Sequence, residues 1–137
     1  FIDMAVHEID QIRWLTKQEV KTSRTLIFPQ TEDSTGDTDS TESLLEMSGG
    51  AIGLVSLGRF HPGGDLVSAE LFTDKHHERV VILDPSTGEE PQLAALRLQA
   101  ESFANWINGG PQEGASTDDA VAALEIANQL KTNAGLN

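Results

Sequence analysis

The stretch FIDMAVHEIDQIRWLT, Phe1–Thr16, decides how this chain is read. Phe1, Ala5, Ile9, Ile12 and Leu15, with Ile2 and Met4 alongside, recur at the roughly 100° step of a helix and gather on one side. Asp3, His7, Asp10 and Trp14 fall on the opposite side. The spacing predicts an amphipathic helix with a core face and a polar face, and the polar face carries a tryptophan. Asp3 and His7 lie one helical turn apart, so a carboxylate and an imidazole share a face within reach of one small ligand. A protein that hydrogen-bonds and deprotonates an alcohol can use such a pair, because histidine changes charge near neutral pH. The same residues also fit an ordinary surface ion pair of small energetic value, with Trp14 folded over a neighbouring loop. The stretch starts abruptly and without an initiator methionine, so a preceding segment is expected to have been removed.

Beyond this helix, EVKTSRTLIF (19–28) alternates and predicts a strand ending at Pro29. QTEDSTGDTDSTE (30–42) holds no aliphatic or aromatic residue and predicts a solvated loop. Its acidic residues break the EF-hand order, since Gly36 precedes Asp37 and Asp39, and no calcium site is expected. In ESLLEMSGGAIGLVSLGRF, two apolar strands flank Gly49-Gly50, which predicts a two-residue hairpin turn with positive φ angles. HPGGD (61–65) breaks the chain, LVSAELFT (66–73) continues the meander, DKHHE (74–78) turns, and RVVILD (79–84) adds a short apolar strand. From about Gln92 to Asn108, Leu93, Leu96, Ala100, Phe103 and Ile107 form a helical stripe that Gly109-Gly110-Pro111 stops. Thr117-Asp118-Asp119 caps a last helix with Ala120, Leu124, Ala127 and Leu130 as its expected buried stripe. This order predicts an α+β fold, an open, mostly antiparallel sheet with helices packed on one face.

A length of 137 residues supports a single domain spanning the whole chain. The formal charge of -13, from 22 acidic and 9 basic residues, would be repelled by phosphate backbones and anionic membrane surfaces. Neither nucleic acid nor membrane is therefore an expected partner. No apolar run approaches the roughly 18 residues of a membrane span, and the N-terminus lacks the features of a signal peptide. The absence of cysteine excludes disulfides and thiolate metal sites, and makes a reducing compartment, the cytoplasm, the expected location. His61 sits in a Pro-Gly-Gly loop of the kind that carries ligand contacts, and is a candidate substrate residue as well as an ordinary turn histidine. His76 and His77 are adjacent, so they cannot converge on one metal. No G-x-G-x-x-G or Walker A loop is present, and the Gly-Gly pairs fall between strands rather than between a strand and a helix.

FIDMAVHEIDQIRWLTKQEV resembles the start of the C-terminal domain of the Gfo/Idh/MocA oxidoreductases, the glucose-fructose oxidoreductase and inositol dehydrogenase group. That segment reads, loosely, Asp-x-x-x-His-x-x-Asp-x-x-x-x-Leu, followed by Glu-Val and a strand. The resemblance continues through STESLLEMSGGAIGLVSLGRF and GGDLVSAELFTDKHHERVVI to LRLQAESFANWINGGPQEGASTDDAVAALEIANQL, and covers nearly all of the chain. It implies the α+β architecture seen in dihydrodipicolinate-reductase-like and glyceraldehyde-3-phosphate-dehydrogenase-like C-terminal domains. It further implies a parent enzyme whose N-terminal Rossmann domain binds NAD or NADP, with a sugar, inositol or related polyol held between the domains. In that scheme a lysine of the Rossmann domain acts with Asp3 and His7. His7 takes the hydroxyl proton, and Asp3 holds a substrate hydroxyl and supports the imidazole. The Rossmann domain, its glycine fingerprint and that lysine are absent here, so the chain alone is expected to hold no cofactor and to be inactive. Its expected partners are that missing domain and, through the uncovered sheet face, a second copy of itself. The competing reading is a non-catalytic dimerisation or small-molecule-binding module.

Overall fold

The computed structural model describes residues 1–28 and 38–136. Pro29 and residues 30–37 of the predicted loop, Gly36 and Asp37 among them, lie outside the described residues. The elements are α1 (Ile2–Thr16), β1 (Val20–Ile27), β2 (Ser40–Met47), β3 (Ile52–Gly58), β4 (Val67–Phe72), β5 (His77–Leu83), a 3-10 turn (Pro85–Thr87), α2 (Glu90–Ile107) and α3 (Thr117–Asn133). They group into two compact units, one of Phe1–Phe60 with Ala115–Asn137, the other of His61–Gly114.

In the first unit β1, β2 and β3 form an antiparallel sheet in that order. Leu26 stands opposite Glu42, Arg24 opposite Leu44, and Leu44 opposite Leu54. Alternation sends Leu45, Met47, Val55 and Leu57 to one face, where they meet Ala5 and Ile9 of α1 and Ala123, Ala127 and Leu130 of α3. Both helices therefore cover the same face, as the α+β reading requires. The other face keeps large apolar groups in solvent, with Ile52 74% and Leu54 71% exposed.

Four features differ from the sequence-based expectation. β2 begins at Ser40, inside the stretch read as loop. Thr41 and Ser43 occupy inward positions there; Ser43 Oγ is 2.9 Å from Thr25 Oγ1, a pairing that polar composition conceals. The β2–β3 turn has three residues, closed by Met47 N–H donating to Ala51 O at 2.9 Å, and of the two glycines only Gly50 takes a positive φ, +90°. The Gln18 carboxamide fixes this loop, Oε1 accepting from Gly49 N at 2.8 Å and Ala51 N at 3.3 Å. In α3 the buried stripe is Ala123, Ala127 and Leu130, leaving Ala120 and Leu124 exposed. An alanine-rich helix offers several stripes of similar hydrophobicity, so periodicity does not choose among them. Finally, β4 pairs with β5 in a separate two-stranded sheet rather than extending the ladder from β3.

In the second unit Gly63 and Gly64 carry positive φ angles in the loop before β4. Asp84 caps the 3-10 turn, its Oδ1 accepting from Ser86 N at 2.8 Å and Ser86 Oγ at 2.7 Å. Helix α2 packs against β5 and has no buried residue; its predicted stripe of Leu93, Leu96, Phe103 and Ile107 is exposed.

Candidate active-site face on the first helix

Helix α1 is held at a fixed depth by Ala5 and Ile9, both buried in the core. That burial turns the opposite stripe outward. Asp3, His7 and Trp14 are exposed, and Asp10 is half-buried. Among the described residues neither Asp3 nor His7 makes a hydrogen bond or ion pair within the protein, so both keep their polar atoms available to a ligand. Next to His7, Glu8 is half-buried; burial pushes its carboxyl up, and the nearby imidazole partly offsets this. Leu15, assigned to the core face, is largely exposed near the helix end. The helix stops at Lys17, whose left-handed φ of 55° lets its N–H reach Arg13 O and sets Nζ 4.9 Å from the Trp14 ring centroid.

Sequence reasoning passes over Arg13, which is the best-connected polar residue of α1. Only 9% of its side chain meets solvent. Nε and Nη2 donate to the two carboxylate oxygens of Glu19 at 2.8 and 2.9 Å. Nη1 donates to Asp119 O at 3.3 Å and lies 3.5 Å from Asp119 Oδ1 and 3.7 Å from Asp10 Oδ1. The Glu19 hydrogen bond is the main reason the guanidinium is held above its ordinary value and the Glu19 carboxyl below. Asp119 is also held low, chiefly by the backbone N–H and hydroxyl of Ser116. The available signal was a basic residue in the last helical turn, which fits a helix-dipole interaction equally well.

His61 belongs to the second unit, where its Nδ1 lies 3.2 Å from Gly64 O. His76 Nε2 faces Glu78 at 3.3 Å. His77 stacks on Phe72 at a centroid distance of 4.3 Å and lies 3.7 Å from Glu70. Among the described residues no group of three or more His, Asp or Glu is placed to hold a metal ion. No helix among them is long and apolar enough to cross a membrane. The Gly-Gly pairs occupy turns of other kinds. Gly49-Gly50 lies in a hairpin, Gly63-Gly64 precedes a strand, and Gly109-Gly110 follows a helix. None joins the end of a strand to the start of a helix, the arrangement that presents N–H groups to a pyrophosphate.

The class defined by these features is an α+β domain whose first helix turns an aspartate and a histidine outward. The sequence pattern of the GFO/IDH/MocA C-terminal domain matches residues 1–77, and the chain belongs to that family. It is 43% identical over 132 residues to the rhizopine catabolism protein MocA of Rhizobium meliloti, covering 93% of this chain and 41% of that protein. Among solved structures it resembles the myo-inositol 2-dehydrogenase of Lactobacillus plantarum, with 25% identity and a TM-score of 0.77 over 97% of this chain and 45% of the other. The scyllo-inositol dehydrogenase of Lactobacillus casei, solved with NAD(H) and scyllo-inositol, shares the fold at 20% identity and a TM-score of 0.81, over 96% of this chain and 44% of the other. The chain thus spans less than half the length of these relatives.

Proposed function

We infer that this chain is the substrate-facing part of an NAD(P)-dependent dehydrogenase that oxidises a hydroxyl of an inositol, sugar or related polyol. The observation that carries this reading is the outward Asp3–His7 pair, one turn apart on the exposed face of α1, in a chain of this family. The likeness to the myo-inositol 2-dehydrogenase of Lactobacillus plantarum, at 25% identity, supports the inositol class. The nicotinamide, held outside this chain, is the hydride acceptor of such a reaction. The chain's own residues supply binding and proton handling. His7 accepts the proton of the reacting hydroxyl at an imidazole nitrogen. Asp3, one turn earlier, accepts a hydrogen bond from a substrate hydroxyl and favours the imidazolium that forms. In the complete enzyme, His7→Ala is expected to abolish most polyol-dependent nucleotide reduction; full turnover in that variant points instead to a non-catalytic binding or assembly module.

The same reading makes the chain dimeric through its uncovered sheet face. Leu26, Leu44, Ile52 and Leu54 are exposed there, interspersed with Arg24, Glu42 and the Lys21–Glu46 ion pair at 2.9 Å. A mixed apolar and charged surface of this kind can face a rotated copy of itself.

A further inference from the structure

Helix α1 packs on its neighbours through one apolar face, with Ile2, Met4, Val6 and Ile12 flanking its buried residues. Ala5 and Ile9 join Ala123, Ala127 and Leu130 of α3 in the core. Gly53 of β3 lies beneath Ile12, where a Cβ would come within 3.1 Å of Ile12 Cδ1. This apolar face sets the depth of α1, and a directional polar contact adds control over its roll and axial register. Among the described residues, Arg13 is the one residue of α1 whose side chain hydrogen-bonds outside the helix.

Both of its partners are themselves anchored. Glu19 exchanges hydrogen bonds with Ser48 of the β2–β3 turn, Ser48 N donating to Glu19 O at 2.8 Å and Glu19 N to Ser48 Oγ at 3.2 Å. Asp119 Oδ2 accepts from Ser116 N at 2.9 Å and Ser116 Oγ at 2.7 Å, which leaves Oδ1 turned to Arg13. The guanidinium therefore joins α1 to the lead-in of β1 and to the first turn of α3. Its Nη1 also approaches Asp10, the carboxylate that follows His7 on the outward face.

We propose that Arg13 is a positioning residue for the Asp3–His7 chemistry, its planar fork setting the roll and register of α1; this rests on the function inferred above. A side-chain tip lies about 6 Å from a helix axis, so a roll of about 10° displaces it by about 1 Å. A misplacement of about 1 Å at reacting groups costs on the order of 100-fold in rate. Lysine keeps the charge but cannot reproduce the fork.

The test measures kcat and KM for polyol and nucleotide in the complete enzyme carrying Arg13→Lys, Glu19→Ala or both, well below each variant's melting temperature. Arg13→Lys is expected to lower kcat about 10- to 100-fold with nucleotide KM unchanged. Glu19→Ala is expected to lower it less, and the double variant to be no worse than Arg13→Lys, because both changes remove one fork. A role in stability alone would lower the melting temperature and leave kcat of the folded enzyme intact, and that result overturns the proposal. Should Arg13→Lys not fold, Glu19→Ala decides alone, since the Glu19 side chain is 65% exposed and dispensable for packing; unchanged kcat there overturns the proposal equally. Failure of the underlying function is read separately, from His7→Ala with undiminished turnover.

Discussion

Arg13 grips Glu19 with Nε and Nη2, at 2.8 and 2.9 Å, across the bend between α1 and β1. The bidentate geometry and the burial of the arginine set this pair apart from exposed ion pairs such as Lys21–Glu46. The pair is also a source of pH dependence.

Glu19 and Asp119 are both held below the ordinary carboxylate range in the folded protein. Their stabilisation is complete above the unfolded value of about 4 and is lost as pH falls through the lowered folded values. Glu8 acts with the opposite sign. Its raised value gives a contribution that is full below the unfolded value and fades as pH rises through the folded one. Arg13→Met removes the main cause of the Glu19 shift. The stability gap between wild type and Arg13→Met, measured by urea unfolding, is expected to be level near neutral pH and to narrow below about pH 4. A gap that widens on acidification contradicts this assignment.

His7→Ala in the complete enzyme is expected to lower turnover by about 100- to 10,000-fold, the range for loss of a general base. Nucleotide affinity should not change, because the proposed role of His7 is at the reacting hydroxyl of the polyol. Asp3→Asn should raise polyol KM as well as lower kcat, since an amide cannot support the imidazolium as a carboxylate does. Steady-state kinetics with both substrates varied separate these effects.

The outward stripe of α1 was legible because Ala5 and Ile9 recur at helical spacing and exclude Asp3 and His7 from the core. Arg13 was not, because its acceptors lie 6 and 106 residues away, and no local pattern announces the second. The β2–β3 hairpin was legible from its glycines, but not the contact that holds its loop, which comes from Gln18 in another segment. Thr41 misleads in the other direction: a hydroxyl in the stretch read as loop is buried at an inward strand position. The pattern in α3 fails for want of contrast, with Ala123 and Ala127 buried beside exposed Ala120 and Leu124.

Leu54→Glu tests the sheet face. Leu54 stands opposite Leu44 on β2 and is 71% exposed, so the substitution disturbs no internal packing. A carboxylate placed there would be buried without a partner in a dimer that uses this face. Sedimentation velocity is expected to show a shift from dimer to monomer, with the circular dichroism spectrum unchanged. A variant that remains dimeric moves the interface elsewhere.

Ser116→Ala tests the cap that fixes Asp119. Ser116 Oγ accepts from Asp119 N at 3.2 Å, and the Asp119 carboxylate accepts in return from Ser116 N, a reciprocal capping box that satisfies the first orphan donors of α3. Alanine removes the hydroxyl that both receives the Asp119 N–H and donates to Asp119 Oδ2. The expected cost is about 1 kcal/mol, seen as a fall of about 3–5 °C in melting temperature for a domain of this size. Ser116→Thr keeps the hydroxyl and should recover most of that loss. Because Asp119 Oδ1 faces Arg13, a loosened cap should also weaken the hold on α1. Combined with Arg13→Met, the cost of Ser116→Ala should then be smaller than in the wild-type background. Strict additivity in that double-variant cycle would separate the cap from the arginine and confine its effect to α3.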